Sequence, residues 1–278
     1  SNPCSEYLHL DNSACNLASL NLLSFLGDDG SFDLDGFAHA VNVTLIAQEI
    51  LVGNADYPTE AIGETTRRFR QLGLGYANLG AMLMALGLPY DSDAGRAWAG
   101  SITALMTGAA YRTSARMAER LGPYDGFPDN REPQLGVLRA HREALAELST
   151  LESSRALNAA AAEAWDGAIE LADRVGVRNA QVSVLAPTGT ISFMMDCDTT
   201  GIEPDLGLVK TKKLVGGGTM AIVNQTVPRA LRRLGYDQAQ VDAIVAHIAE
   251  ERTAVGAPGL RAEHVAVFAC AMGQPTIG

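Results

Sequence analysis

The chain has 278 residues, 47% of them hydrophobic and 19% charged, and a net charge of −11. That composition excludes a disordered segment and suits an α/β or α-rich piece with one large core or two small ones. The acidic balance argues against a nucleic-acid partner, because a phosphate-backbone binder needs a basic stripe.

The chain opens Ser1-Asn2-Pro3-Cys4 without a methionine and stops at Gly278 just after an apolar stretch, so both ends read as cuts inside a longer protein. After a loop ending near Asp35, the residues Phe37, Ala40, Val41, Thr44, Leu45 and Gln48 follow helical spacing and predict a helix over about 36–52. The proline and polar residues of 54–60 predict a loop. Arg70-Gln71-Leu72-Gly73-Leu74-Gly75-Tyr76 predicts a short buried strand, with a helix in the apolar run 79–88. Gly73 and Gly75 lack the full dinucleotide-binding spacing and are read as permitting close backbone packing. Ser92 caps a long helix reaching about Leu121, which Gly122-Pro123 ends, and another helix is predicted over 134–148. Leu157, Ala161, Ala164, Trp165, Ala168, Ile169, Ala172 and Val175 share one face of an amphipathic helix that closes at Gly176.

Ala180-Gln181-Val182-Ser183-Val184-Leu185-Ala186 predicts a strand that leads straight into Pro187-Thr188-Gly189-Thr190-Ile191-Ser192. Helix, strand, then small polar loop is the grammar of an α/β sheet or barrel, and ligands collect at such loops. Backbone amides and the hydroxyls of Thr188, Thr190 and Ser192, bent around Gly189, can cradle an anion; a plain polar turn is the alternative. Gly216-Gly217-Gly218 is a breaker, 224–234 and 238–252 read as helices, and 260–272 as one more helix or strand. Lys210, Lys212 and Lys213, with Arg229, Arg232 and Arg233, form a local basic exception that reads as a solvated or partner-facing surface. Nothing in repeats, linkers or charge blocks marks a domain boundary.

Four cysteines, Cys4, Cys15, Cys197 and Cys270, are too sparse for a disulfide scaffold. No secretory signal opens the chain and no uninterrupted apolar run is long enough to cross a membrane, so a reducing cytoplasm and no membrane partner are expected. His9, His39, His141, His247 and His264 form no zinc pattern with Cys197 or Cys270, and no metal site is expected. Asn2, Cys4 and Glu6 occupy alternate positions; on an extended backbone an amide, a thiol and a carboxyl would point the same way. The alternative is a turn in which Asn and Ser bond to the backbone. A hairpin could return Cys15 near Cys4, although a lone cysteine is most often a small buried hydrophobe.

Taken together, these segments resemble the adenosylcobalamin-dependent (class II) ribonucleotide reductases. Ser1-Asn2-Pro3-Cys4-Ser5-Glu6-Tyr7 resembles their finger loop, and Cys15-Asn16-Leu17-Ala18-Ser19-Leu20-Asn21-Leu22 resembles the segment with the second redox cysteine. The loop Pro187, Thr188, Gly189, Thr190, Ile191, Ser192 resembles the substrate-phosphate loop. Asp196-Cys197-Asp198-Thr199-Thr200-Gly201-Ile202-Glu203-Pro204, residues 214–218 and Asn224-Gln225 are similar to the cobalamin-dependent branch.

The resemblance implies that residues 1–278 are the carboxy-terminal portion of one catalytic α/β domain. They would form the second half of a ten-stranded α/β barrel, with the finger loop at the start of the chain. It implies adenosylcobalamin as cofactor, a ribonucleoside diphosphate as substrate and a thioredoxin-like or dithiol reductant. Cys4 would carry the radical, Glu6 act as base, Asn2 hydrogen-bond the sugar hydroxyls and Cys15 supply reducing equivalents. Ser1, Pro3 and Ser5 would line the substrate beside them. The partner cysteine of Cys15, the allosteric site and most cobalamin contacts would lie in the first half of the barrel, and the full-length protein would be a homodimer. A metal-radical reductase served by a second subunit, and a non-catalytic nucleotide-binding fragment, are the alternatives.

Overall fold

Local capping chemistry fixes most of the helix boundaries. The Asp33 carboxylate accepts the Gly36 amide at the start of α1 (Leu34–Asn54), and Thr59 accepts the Ile62 amide before α2 (Glu60–Phe69). Ser92 accepts the Gly95 amide before α4 (Asp93–Leu121), as its sequence position predicts. Each side chain satisfies an amide that the first helical turn leaves without an intrahelical partner. At the other ends, Gly122 and Gly176 adopt φ of +81° and +79° and close α4 and α6 (Arg155–Val175). This computed structural model describes every residue except Pro3, Ser149, Thr150, 214–218 and Gly278. The expectations for Pro3 and for 214–218, including the Gly216-Gly217-Gly218 breaker, lie outside the described residues, as do those for the side chains of Lys212 and Lys213.

The chain divides into two compact units, one of Ser1–Leu20, Asp33–Tyr76 and Ala97–Pro187, the other of Asn21–Phe32, Ala77–Arg96 and Thr188–Gly278. In the first, strands β1 (Asn16–Asn21) and β2 (Leu72–Ala77) pair, and Leu74 bridges Ser183 in parallel. The strand predicted over 180–186 is reduced to that bridge and its flanking bonds, Leu72 N to Gln181 O at 2.8 Å and Val184 N to Leu74 O at 3.0 Å. The Gln181 side-chain amide takes the Ser183 carbonyl at 2.6 Å, diverting an acceptor from the ladder. Gly75 is the glycine this arrangement requires, since a Cβ there would sit 2.2 Å from the Val184 carbonyl oxygen.

Around this small sheet pack α1, α2, α4, α5 (Phe127–Ala144) and α6, with Trp165, Tyr111, Tyr124 and Phe127 in the core. Helix α5 starts earlier than its sequence suggests. Burial of Phe127, Leu135 and Leu138 along one face carries the helix through Pro133, which reads locally as a boundary. Helix α1 has the length and apolar composition of a membrane span, which no sequence run had suggested. Its buried face, however, carries Gln48 and Glu49.

Glu49 is 4% exposed and is satisfied on both oxygens. Its Oε1 accepts Arg70 Nε at 2.5 Å and Arg178 Nε at 2.8 Å, and its Oε2 accepts Asn179 Nδ2 at 2.6 Å. Asn179 also reaches the Arg70 carbonyl and accepts the Ser114 hydroxyl.

In the second unit, α3 (Leu79–Ala85), α8 (Thr226–Arg233) and α9 (Gln238–Glu251) enclose a core that includes Met84, Val227, Leu231, Ile244, Ile248 and Phe268. Strands β3 (Val209–Lys213) and β4 (Thr219–Val223), unforeseen from sequence, pair antiparallel from Val209–Val223 to Lys213–Thr219. A capping box of Asp237 and Gln240 starts α9. The 260–272 segment, expected as helix or strand, is a 3-10 turn over Ala262–Phe268. The described residues thus form a mixed helix-and-sheet fold with two two-stranded sheets and no closed barrel.

Replacing Glu49 by alanine leaves two guanidinium groups and an amide without their acceptor in the first unit's interior. Glu49→Ala is expected to cost about 3–5 kcal/mol of stability, read as a lowered denaturant midpoint with the slope unchanged.

Candidate functional site

The first seven residues close on themselves. Asn2 N donates to the Tyr7 carbonyl at 3.1 Å and Ser5 N to the Asn2 carbonyl at 2.9 Å. Ser5 takes φ of +60°, a left-handed turn position. The extended backbone considered for Asn2, Cys4 and Glu6 is therefore replaced by a turn, and their alternation is not what brings them together. Loop closure does it instead: the Asn2 Nδ2 donates to Glu6 Oε1 at 3.0 Å. Asn2 is buried, while Ser1, Cys4 and Ser5 are exposed.

Cys15 enters the same site from the start of β1. The residues on either side of it are pinned, Ala14 N to Thr66 Oγ1 at 2.8 Å and Gln48 Nε2 to the Asn16 carbonyl at 2.7 Å. Gly73 on β2 leaves room for the thiol, since a Cβ there would come within 2.9 Å of Cys15 Sγ. Burial pushes the Cys15 thiol above its ordinary range; the Asn2 amide, donating toward the sulfur, pulls it back, and the Glu6 carboxylate pushes it up again. Cys15 thus lies near enough to Asn2 and Glu6 to feel both, and the raised pKa keeps it protonated at neutral pH. All four cysteines are free thiols.

Two oxygens in this cluster, Asn2 Oδ1 and Glu6 Oε2, are buried without a hydrogen-bond partner among the described residues. Buried polar atoms are nearly always paired, and leaving one unpaired costs about 1–3 kcal/mol. Here the two orphans sit on one hydrogen-bonded pair of side chains, so a ligand bearing hydroxyl donors would satisfy both. Tyr7, which closes the finger-loop likeness but was given no role, and Gln71, which was read only as strand, adjoin the cluster: Gln71 Nε2 donates to the Tyr7 hydroxyl at 2.5 Å. Only the fold brings these residues, 64 positions apart, together.

The loop from Pro187 to Ser192 runs from the end of the first unit into the second. Of its three hydroxyls, two turn inward. Thr188, at φ of +53°, accepts the Gly201 amide at 2.7 Å and shares a hydrogen bond with Ser192 at 2.8 Å. Gly189, Thr190 and Ile191 remain exposed, and Gly189 has open space around it. The loop is thus braced from below and presents the backbone and the Thr190 side chain outward. Helix α7 (Ile191–Met194) follows it.

The downstream segment is braced as well. Asn78 Oδ1 accepts the Thr199 amide at 3.0 Å, Asn78 Nδ2 donates to Asn21 Oδ1 at 2.9 Å, and Asn21 Nδ2 donates to the Met195 carbonyl at 3.1 Å. Asp198 accepts the Thr226 hydroxyl at 2.5 Å and its carbonyl accepts Lys210 Nζ. Buried Asp205 accepts Asn224 Nδ2; burial pushes this carboxyl up and that hydrogen bond offsets part of the shift. Of the basic cluster, Arg229 and Arg233 donate to carbonyls of Leu26, Gly27 and Asp29, so they pin a loop of their own unit.

Comparison with known proteins gives a consistent pattern. Residues 1–276 match the family described as "Ribonucleotide reductase, barrel domain". The chain is 57% identical over 282 residues to a protein of Streptomyces coelicolor named vitamin B12-dependent ribonucleotide reductase, covering 100% of this chain and 29% of that protein. A Rhodopirellula baltica protein of the same name is 55% identical, over 98% of this chain and 26% of its own length. A Mycobacterium tuberculosis vitamin B12-dependent ribonucleoside-diphosphate reductase is 31% identical, over 96% of this chain and 32% of its own. The chain therefore spans about a third or less of these relatives.

The contrast between the two amino-terminal thiols is open to direct measurement. At pH 8, iodoacetamide is expected to label Cys4 well before Cys15, and Cys15 labelling should accelerate as pH rises further, followed by mass spectrometry of the two peptides. Equal rates would mean that Cys15 is neither buried nor held protonated as described.

Proposed function

Because the chain belongs to the ribonucleotide reductase barrel-domain family, we propose that it carries the thiol half of a reaction converting ribonucleoside diphosphates to 2′-deoxyribonucleotides. The observation that supports this best is the convergence of Asn2, Glu6 and Cys15, with Asn2 Oδ1 and Glu6 Oε2 buried and unpaired. A ribose offers adjacent hydroxyls as donors to those two oxygens.

On this reading residues 1–7 are a finger loop, and the chain is the second half of a ten-stranded α/β barrel that further strands complete. The relatives' names point to adenosylcobalamin. The residues fit it in one respect that can be tested on this chain: Cys4 is a free and exposed thiol, open to a bulky cofactor, while its neighbours Asn2 and Glu6 are set for the sugar. When bound, that cofactor supplies the initiating radical through its cobalt–carbon bond.

Cys4 would give up its S–H hydrogen atom to that radical, and its sulfur would take the 3′-hydrogen of the ribose and return it once the 2′ position is reduced. Glu6 would accept the proton of the 3′-hydroxyl and later return it, and Asn2 would orient the sugar as the 2′-hydroxyl leaves as water. Cys15, kept protonated by its surroundings, and a second thiol would supply two protons, one of them leaving in that water, and two electrons, and end as a disulfide. A thioredoxin-like or other dithiol restores them by exchange, which suits free cysteines in a cytoplasmic setting. Gly189, Thr190 and Ile191 hold the diphosphate, on a loop braced by Thr188 and Ser192.

The test is deoxyribonucleotide formation by the full-length protein with a dithiol, with and without adenosylcobalamin, beside Cys4→Ala. Product is expected only with both the cofactor and Cys4. Activity that needs a radical-generating subunit instead would overturn the cofactor and keep the Cys4 chemistry. No product under either condition would leave a nucleotide-binding role.

A further inference from the structure

The reaction needs two separate pieces of chain, the Asn2–Glu6 loop and the start of β1, to meet within hydrogen-bonding distance. Neither piece contains the means to hold itself there. We propose that Gln71 and Tyr7 form a clamp that positions the Asn2–Glu6 loop against Cys15, a role that rests on the reading of the site given above.

Gln71 is 5% exposed and has one hydrogen bond to each piece. Its Nε2 donates to the Tyr7 hydroxyl at 2.5 Å, and its Oε1, at 3.2 Å, shares the Ser13 hydroxyl proton with the Leu10 carbonyl at 2.7 Å. Tyr7 closes the loop, since its carbonyl accepts the Asn2 amide at 3.1 Å. Ser13 lies two residues before Cys15 and is itself held by His9, whose Nδ1 is 2.7 Å from the Ser13 hydroxyl. The His9 ring stacks on Tyr7 with centroids 5.9 Å apart, which closes a ring of contacts through both pieces. A single primary amide, with one donor arm and one acceptor arm engaged, thereby sets the separation of the two pieces.

Gln71 is well placed to act as a fixed point. Arg70 before it is locked in a left-handed conformation at φ of +50° with its guanidinium on Glu49, and Leu72 after it donates to Gln181. The Tyr7 hydroxyl is pushed up to about 12, mainly by burial, so it stays a neutral phenol able to accept from Gln71 throughout the working pH range. Tyr7 and Gln71 touch neither of the unpaired oxygens, so they are positioning residues rather than catalytic ones.

The experiment uses the full-length protein with cofactor and dithiol, as wild type, Tyr7→Phe and Gln71→Ala, with thermal unfolding to confirm that each variant is folded. Two readouts are taken: kcat and KM for the ribonucleoside diphosphate, and the pH midpoint of Cys15 alkylation followed on its own peptide. The clamp predicts that kcat falls on the order of ten- to a hundredfold while KM stays within about twofold, because the loss is of alignment rather than substrate binding. It also predicts that the Cys15 midpoint moves down, because burial is the largest cause raising it and a released loop would leave the thiol more open to water. In folded protein, a kcat loss without the midpoint shift, or a midpoint shift without the kcat loss, overturns the proposal, as does no change in either. Tyr7→Phe removes one hydroxyl, and it decides the matter should Gln71→Ala fail to fold. If wild type makes no deoxyribonucleotide, the proposed function fails, and the alkylation arm alone decides the clamp.

Discussion

The first unit depends on one buried carboxylate. Glu49 lies on α1, yet what it organises is the chain around the start of β2, where Arg70 and Asn179 come from segments with no local reason to meet. Removing a carboxylate from water is expensive, and the cost is offset only if every oxygen finds strong partners. Here two guanidiniums and an amide fill both oxygens, and the same amide grips the Arg70 carbonyl. Such a group tolerates one arrangement of its partners. That arrangement fixes Arg70 in an otherwise unfavourable backbone conformation and sends β2 off in a defined direction.

From that anchor the active cluster follows by short steps. β2 carries Gly73, whose missing side chain leaves the space that the Cys15 sulfur occupies, and Gly75, which lets the Val184 backbone approach. Thr66 and Gln48, on helices α2 and α1, take the backbone groups that flank Cys15. The second unit uses a comparable device with neutral groups. Asn78 accepts from Thr199 and donates to Asn21, from an αL conformation that asparagine tolerates better than most residues. Both candidate loops therefore rest on buried, hydrogen-bonded polar groups, which fix position more sharply than apolar packing does.

How much of this was legible in the sequence divides along a physical line. The helices of Phe37, Val41 and Leu45 and of Leu157, Ala161 and Trp165 were legible because their periodicity is local, and Ser92 announced its helix by chemistry alone. The strands β3 and β4 were not, since Val209-Lys210-Thr211-Lys212-Lys213 has little apolar alternation and depends on its partner for definition. The 180–186 run overstated its case: β-branched residues promised a strand, but one side-chain amide and a following proline limited it to a bridge. In the candidate site, Asn2, Cys4, Glu6 and Cys15 were singled out by family likeness in residue type and order, and loop closure joins Asn2 to Glu6. Spacing left an extended backbone and a turn both open there, and the choice fell to a single φ at Ser5 that no periodicity encodes. Tyr7 was legible only as the last residue of the finger-loop likeness and Gln71 not as a site residue, and their pairing comes from the fold alone.

The two amino-terminal cysteines show why that fold matters to the chemistry. On the proposed mechanism Cys4 exchanges a hydrogen atom with a reactant from outside and must be reached, and it sits exposed at the tip of a turn. On the same proposal Cys15 delivers hydrogen to a sugar and must keep its proton until then, and burial and the Glu6 carboxylate both oppose its thiolate. The Asn2 amide works against them and offsets part of the shift. Exposure and burial are thus assigned to different sulfurs by a short loop folded against one strand. The same sequence with that loop swung away would contain every functional group and lose the difference between them.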